Sequence, residues 1–281
     1  MMDEKTLNSA EVLFDLAIAE DIGEGDITTN NLLPPHTKKT AILLVKEEGV
    51  VAGLQVAEMV FKKFDKDIEW SDRIQDGSRV KPGDILVEFK GDFRAILTGE
   101  RKALNFLQRL SGIATYADKC IKKVEGYDVK ILDTRKTMPG YRYLDKYAVR
   151  MGGASNHRFG LYDMVMIKNN HIQVAGGIKN AVEAIREKIP QGIKIEVETS
   201  SMEEVQEALE ANIDIIMLDN MSSNMMKEAV KLINKRTKIE ASGNMTLKRI
   251  RKVAETGVDY ISIGALTHSV KALDISLRII D

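Results

Sequence analysis

IKIEVETSSMEEVQEALEANIDIIMLDN, residues 193–220, holds two short apolar runs separated by a stretch with a different period. The runs 193-IKIEV-197 and 213-IDIIML-218 are strand-length and rich in β-branched residues. Between them, 202-MEEVQEALEAN-212 repeats its apolar positions at helical spacing behind Ser201, a good N-cap. Strand, helix, strand is one β–α–β unit, whose crossover makes the two strands parallel. Similar runs recur at 128-DVKIL-132, 163-DMVMI-167, 237-TKIEA-241 and 259-DYISI-263, and from the second run onward their spacing suits one β–α unit each. Amphipathic helices are predicted over 178–189, 223–235 and 246–257, the last capped by Thr246. Strands buried on both faces imply a parallel sheet. Six of them, with room for a seventh, favour an incomplete or complete α/β barrel over an open doubly wound sheet.

The first third has a mixed α+β texture. A helix is predicted over 8–20, capped by Asn8 or Ser9, with Val12, Leu13, Leu16 and Ala17 on its apolar face. Two short strands flank a Glu-Glu-Gly turn in 40–53, a helix covers 54–64, and short strands with Asp-Gly and Pro-Gly turns fill 76–97, where Lys90 reads as a turn residue. A long helix over 99–125, broken near Ser111-Gly112, carries Arg101 near its first turn. The helix dipole disfavours a cation there, so Arg101 calls for a reason other than helix stability.

A formal net charge of −1 supplies no global field for nucleic acid or an acidic membrane, so any anion binding must be local. No apolar run approaches the roughly 20 residues that span a bilayer. The start lacks a basic segment followed by an apolar one, and the single cysteine excludes an internal disulfide; a cytoplasmic location is expected. Cys120 sits in a helical pattern and reads as an inert helix residue. Four scattered histidines have no metal-ligand spacing.

In parallel α/β architectures ligands bind beyond the carboxyl ends of the strands. Those positions here are Asp133-Thr134-Arg135-Lys136, Lys168-Asn169-Asn170-His171, Glu198, Asp219-Asn220, Ser242-Gly243-Asn244 and Gly264-Ala265. One polar strand end is unremarkable; six in register are hard to explain as a solvated face. Arg135, Lys136, Arg158 and Lys168, with His157 nearby, offer planar forks and point charges for carboxylates and phosphates. The small, glycine-bearing 240-EASGN-244 and 261-ISIGA-265 offer backbone N–H groups to an anion. Glu198 and Asp219 suit ribose hydroxyls, or face a Mg²⁺ held by a diphosphate. The blander readings are that His157 is a hydrogen-bonded loop residue, His171 orients Lys168, His36 and His268 are structural or exposed, and Met164, Met166 and Met217 fill the core.

The blocks 100-ERKALNFLQRLSGIAT-115, 133-DTRKTMPGYRYLDKYAVRMGGASNHRFGL-161, 167-IKNNHI-172, 195-IEVE-198, 218-LDN-220, 240-EASGN-244 and 262-SIGALTHS-269, with 21-DIGEGDITT-29, resemble the quinolinate phosphoribosyltransferase family, in order and over nearly the whole chain. The resemblance implies an α/β fold with an N-terminal α/β sandwich domain, residues 1–113. A C-terminal incomplete α/β (TIM-like) barrel, 114–281, follows, its last residues packing back on the first domain. It implies a homodimer with a shared active site, further assembly into a hexamer being open, and Arg101 matches the arginine lent by the partner subunit. Its substrates would be quinolinate and phosphoribosyl diphosphate, and its products nicotinate mononucleotide, CO₂ and diphosphate, in NAD synthesis. By position, Arg135, His157, Arg158 and Lys168, with Arg101, match the quinolinate set, and Lys136 lies between the substrates. Glu198 and Asp219 match the ribose carboxylates, while Ser242, Gly243, Asn244, Gly264 and Ala265 match the phosphate loops; Thr134 and Ile263 complete the expected binding set. Mg²⁺ is expected through the diphosphate, near Glu198 and Asp219, with no side chain ligating it directly. Two departures stand out: Asn169 where Asp is usual, and Asn244 where a second glycine is common. A molybdate-operon paralogue or a nicotinate-specific relative is the alternative, against which Arg101 and Asn156-His157-Arg158 favour a dicarboxylic substrate. A phosphosugar-binding barrel without catalysis would be expected to lose the strand-end charges this chain keeps.

Overall fold

Asp3 starts the first helix of the computed structural model, which describes residues 2–281. Its carboxylate accepts the Thr6 N–H at 2.8 Å and the Thr6 hydroxyl at 2.7 Å, satisfying a donor the helix start leaves open. Helix α1 therefore runs Glu4–Asp21, four residues longer at its start than its apolar pattern suggests. It buries Thr6, Ala10 and Phe14, whereas Val12 and Leu16 are both 62% exposed, so the predicted apolar face is rotated away from the core.

Two compact units make up the chain. The first holds the segment up to Asp118 together with Thr137–Gly153 and Ser269–Asp281, so the units interleave rather than part at a single cut. After α2 (Ile27–Leu32) come β1 (Lys38–Val45), β2 (Gly49–Val50), α3 (Leu54–Phe64), β3 (Glu69–Asp72), β4 (Arg79–Val80), β5 (Ile85–Asp92) and the long helix α4 (Phe93–Lys123). Lys90 lies inside β5, paired with Thr40 and Glu69, and not in a turn. Helix α4 is unbroken at Gly112, where a Cβ would meet the Lys271 carbonyl oxygen at 2.2 Å. The glycine admits another segment of backbone and does not end the helix. Helix α5 (Arg142–Met151) belongs to the same unit; its fully buried Asp145 takes a bidentate fork from Arg109 at 3.1 and 2.9 Å. The last strand of the chain, Ile275–Ile279, pairs antiparallel with β1, giving a four-stranded sheet in which β1 is flanked by that strand and β5, and β3 is the far edge. Phe61, Trp70 and Phe89 fill its centre, with Phe61 and Phe89 ring centroids 4.7 Å apart.

In the second unit all six apolar runs are strands: β6 (Lys130–Leu132), β7 (Val165–Ile167), β8 (Ile195–Thr199), β9 (Ile215–Asp219), β10 (Lys238–Ser242) and β11 (Tyr260–Ser262). Helices α6 (Asn169–Ala175), α7 (Ile178–Arg186), α8 (Met202–Glu210), α9 (Ser223–Ile233), α10 (Ile250–Ala254) and α11 (Ala265–His268) intervene, and the C-terminal strand Ile275–Ile279 is β12. Ser201 caps α8 by accepting from Glu204 N–H. Thr246 caps no helix side-on; α10 begins four residues later, at Ile250, with Arg249 at the cap position. Every strand pairing is parallel, in the order β6-β11-β10-β9-β8-β7. β6 and β7 are the two edges, yet residues after both line one cavity. The sheet is therefore curved round that cavity without closing: an incomplete barrel. Among the described residues, no helix is long and apolar enough to cross a membrane.

Candidate active site

A polar residue ends or directly follows each strand of the second unit, where the chain turns, and the curvature of the sheet brings those ends together. A cavity of about 450 Å³ is lined by Thr134, Arg135 and Lys136 after β6, His157 and Arg158, and Lys168 after β7. Glu198, Asp219, Ser242, Gly243 and Asn244 complete its predicted lining. That volume lies in the range of small-molecule sites. Arg135, Lys136, Arg158 and Lys168 thus face one space with Glu198, Asp219 and Glu240.

Buried hydrogen bonds set the cationic side. Asp133 is fully buried and accepts Asn156 Nδ2–H at 2.6 Å and the His157 N–H at 2.8 Å, pinning the 156–158 loop to the end of β6. Arg158 Nη1 donates to the Met164 carbonyl at 2.9 Å. Burial, then the nearby charge of Arg135, lowers the pKa of Arg158. Two guanidiniums held this close favour an incoming anion. Lys168 Nζ reaches Glu198 Oε2 at 3.0 Å, and His171 Nδ1 accepts the Lys168 backbone N–H at 3.0 Å, so the histidine fixes the strand end that carries the lysine.

The opposite side is a pair of loops tied to each other. Asn220 donates to Asp219 Oδ2 at 2.8 Å and accepts from Asn244 Nδ2 at 3.1 Å. Arg249 forks to the carbonyls of Gly243 and Met221, both at 2.7 Å. Gly243 has φ +90°, and a Cβ there would lie 2.2 Å from Asn220 Oδ1.

Beneath the cations lies a group to which the sequence does not point. Glu196 and Glu240 are fully buried, with carboxylate oxygens 3.1 and 3.2 Å from His157 Nε2. Burial, then the proximity of Glu240, raises Glu196 to about 7. Burial opposes charge on His157, but the two glutamates outweigh it and raise the imidazole to about 10. Nδ1 accepts the Arg158 N–H at 2.7 Å, however, so the ring carries its proton on Nε2. That contact leaves the carboxylate side to hold any further proton of the cluster. The available signal was a glutamate in the middle of each doubly buried run, 195-IEVE-198 and 239-IEAS-242.

Ile263, Gly264 and Ala265 are not in the cavity lining; Ser262 is, while Gly264 packs against the Lys136 side chain. Arg101 lies on α4, in the first unit, exposed. Met166 and Met217, read as core filler, also line the cavity. Cys120 is buried, and burial pushes its thiol up to about 12, as an inert helix residue requires.

Residues 26–111 match the family model of the quinolinate phosphoribosyl transferase N-terminal domain, and 113–278 that of its C-terminal domain. The chain is 46% identical, over 94% of its length and 90% of the relative's, to a probable nicotinate-nucleotide pyrophosphorylase [carboxylating] of Synechocystis sp.. It is also 46% identical to a mitochondrial quinolinate phosphoribosyltransferase [decarboxylating] of Nicotiana glauca, covering 94% of this chain and 80% of that one. Among solved structures, the nicotinate-nucleotide pyrophosphorylase from Francisella tularensis superposes with a TM-score of 0.94 at 41% identity, over 97% of this chain and 96% of that chain.

Proposed function

We infer the reaction from the premise that the chain belongs to the quinolinate phosphoribosyltransferase family. It transfers a phosphoribosyl group from phosphoribosyl diphosphate to quinolinate with decarboxylation, giving nicotinate mononucleotide, CO₂ and diphosphate. The observation that carries this reading is the convergence of Arg135, Lys136, Arg158 and Lys168 in the cavity that also holds Glu198 and Asp219.

Quinolinate presents two carboxylates on adjacent ring carbons. Arg135 and Arg158 supply forks for them and Lys168 a point charge, so the ring nitrogen is held against the ribose carbon that it attacks. As the bond to diphosphate breaks, Glu198 and Asp219 favour the positive charge that develops on the ribose. Lys136 lies between the two substrates, and the Ser242–Asn244 loop offers N–H groups to phosphate. Once glycosylated, the ring is a pyridinium. The bond to the 2-carboxylate then breaks, the electron pair stays on the ring carbon, and that carbon takes a proton.

Mg²⁺ is the proposed cofactor, and it would supply neutralising charge to the departing diphosphate. The site fits an ion carried in by substrate: Glu198 already pairs with Lys168 and Asp219 accepts from Asn220, so they would face such an ion without forming a dedicated cage for it. A homodimer with a shared site is the proposed assembly. Arg101 suits a donated role, since it is exposed and, among the described residues, its side chain makes no hydrogen bond or ion pair within its own chain. A cytoplasmic location is proposed on the single buried thiol.

The test is incubation of the purified protein with quinolinate, phosphoribosyl diphosphate and Mg²⁺, with nicotinate as control substrate. Equal release of CO₂ and nicotinate mononucleotide from quinolinate alone is expected. Turnover of nicotinate with none of quinolinate would overturn the reading in favour of the monocarboxylate alternative.

A further inference from the structure

Two buried carboxylates meeting one imidazole at the edge of a binding cavity call for an account of their charge. The donor atoms of His157, Glu196 and Glu240 lie within 4.8 Å of one another, a spacing that a divalent metal or a proton would each satisfy. A metal on Nε2 would force the ring proton onto Nδ1, but Nδ1 is occupied in accepting the Arg158 N–H. The Arg158 charge beside Glu196 also opposes a second cation. The geometry therefore selects the proton, because a carboxylate pair this close and this dry ionises at both members only with difficulty.

The groups facing this cluster come from every strand end around it. Asp133, Arg135 and Lys136 follow β6; Arg158 and Asp163 lie in the next loop; Lys168 follows β7; Glu198 lies one residue before the end of β8 and Asp219 ends β9; His268 lies beside Gly264 and Lys136. Lys168 is matched by Glu198, and Asp133 is tied into the backbone. A dianion admitted to the cavity adds negative charge directly above His157 and Glu240, both of which line it. Added negative charge makes an ionised glutamate below more costly and its protonated form more favourable.

We propose that, above neutral pH, the His157–Glu196–Glu240 cluster takes up one proton when the pyridine dicarboxylate enters the cavity. The proposal deepens, and rests on, the quinolinate reading given above. Its sign follows from linkage: a group whose proton is held more tightly in the complex strengthens binding fully below its free value, and the gain is lost as pH rises. With Glu196 raised to about 7 before substrate binds, the loss begins just above neutrality. The reaction itself consumes a proton at the ring carbon vacated by CO₂, so a proton brought in with the substrate matches the chemistry that follows.

The test is the KM for quinolinate between about pH 6.5 and 8.5, a range where the substrate's own carboxylates, with reference values near 4, do not titrate. KM is expected to rise about tenfold per pH unit above neutrality, the slope of one linked proton. Glu196→Gln and Glu240→Gln should flatten the profile, while Glu240→Asp, which keeps an acid, should restore it. Calorimetric titration of the unaltered protein with quinolinate at pH 8, in phosphate and in Tris, counts the protons directly and does not depend on any variant folding; about one is expected per site. A flat KM profile, zero protons by calorimetry, or glutamine variants that keep the slope would each overturn the proposal. Failure of the unaltered protein to release CO₂ from quinolinate at any pH is a separate result, and would remove the quinolinate reading together with the proposal.

Discussion

Lys168 Nζ lies 3.0 Å from Glu198 Oε2, so a cation and an acid at the ends of neighbouring strands are paired before any substrate arrives. The lysine side chain is half exposed, and an exposed pair of this kind contributes only about 0–1 kcal/mol to stability. Lys168→Ala is therefore expected to leave the melting temperature within about 4 °C of the parent's, by the usual scaling for a chain of this size. Activity should respond far more, with kcat/KM for quinolinate down at least about 100-fold, the cost of a charge-assisted contact of about 3 kcal/mol. Circular dichroism melts and steady-state kinetics on one preparation separate the two effects.

Arg135→Ala is expected to behave in the same way, because its guanidinium faces the cavity and not the core. Loss of a bidentate fork on one substrate carboxylate should lower kcat/KM by about 100-fold or more with the fold retained. Arg135→Lys keeps the charge but not the planar fork, and should recover only part of the activity. A kcat/KM near that of the parent in the alanine variant would remove Arg135 from the substrate site.

Arg101→Ala and Lys168→Ala, each inactive alone, should regain partial activity when mixed and allowed to exchange subunits. Random pairing makes about half the dimers mixed, and each mixed dimer has one site with both cations intact, so roughly a quarter of the parental sites return. Verified subunit exchange with no recovery would show that Arg101 serves its own chain.

The barrel was legible because a strand buried on both faces must be apolar throughout, and six such runs at β–α spacing leave few other arrangements. β12 was not, because 275-ISLRI-279 carries Arg278 and its partner β1 lies more than 200 residues earlier, so nothing local marks it as a strand. Helix α5 was hidden by charge: 142-RYLDKYAVRM-151 reads as surface until Arg109 is seen reaching the buried Asp145. Val12 and Leu16 misled for the converse reason, since helical spacing identifies a face but not whether anything covers it. The strand-end cations were readable as a list. The buried glutamates behind His157 were not, because their role exists only once β8 and β10 are curved toward one loop.

Cys120 provides a chemical check on the core of the fold. Its thiol is fully buried and pushed up to about 12 from an ordinary value near 9. A raised thiol pKa means almost no thiolate at pH 8, and thiolate is the reacting species. Iodoacetamide at pH 8 is expected to leave the native protein unmodified over hours and to add one carbamidomethyl group in urea. Mass spectrometry distinguishes the outcomes, and rapid modification of the folded protein would contradict the burial.

Gly243→Ala should damage one half of the active site and spare the other. The residue sits at φ +90°, a region that costs an alanine about 1–2 kcal/mol, and the new methyl would fall 2.2 Å from Asn220 Oδ1 and 2.8 Å from Asn220 N. Asn220 Oδ1 belongs to the clasp that joins Asp219 to Asn244, and Asn220 N donates to the Ser242 carbonyl, so the substitution must shift either the phosphate loop or the ribose carboxylate. Arg249 holds the same two loops from the other side by their carbonyls, which leaves little room for harmless relaxation. The cation cluster on Arg135, Arg158 and Lys168 is built from other strand ends and shares none of these bonds. The expected signature is therefore a KM for phosphoribosyl diphosphate raised about tenfold or more, while calorimetric affinity for quinolinate stays within about threefold. Equal loss of both affinities would mean that the two halves of the cavity are mechanically coupled, and an unchanged phosphoribosyl diphosphate KM would remove the 242–244 loop from phosphate binding.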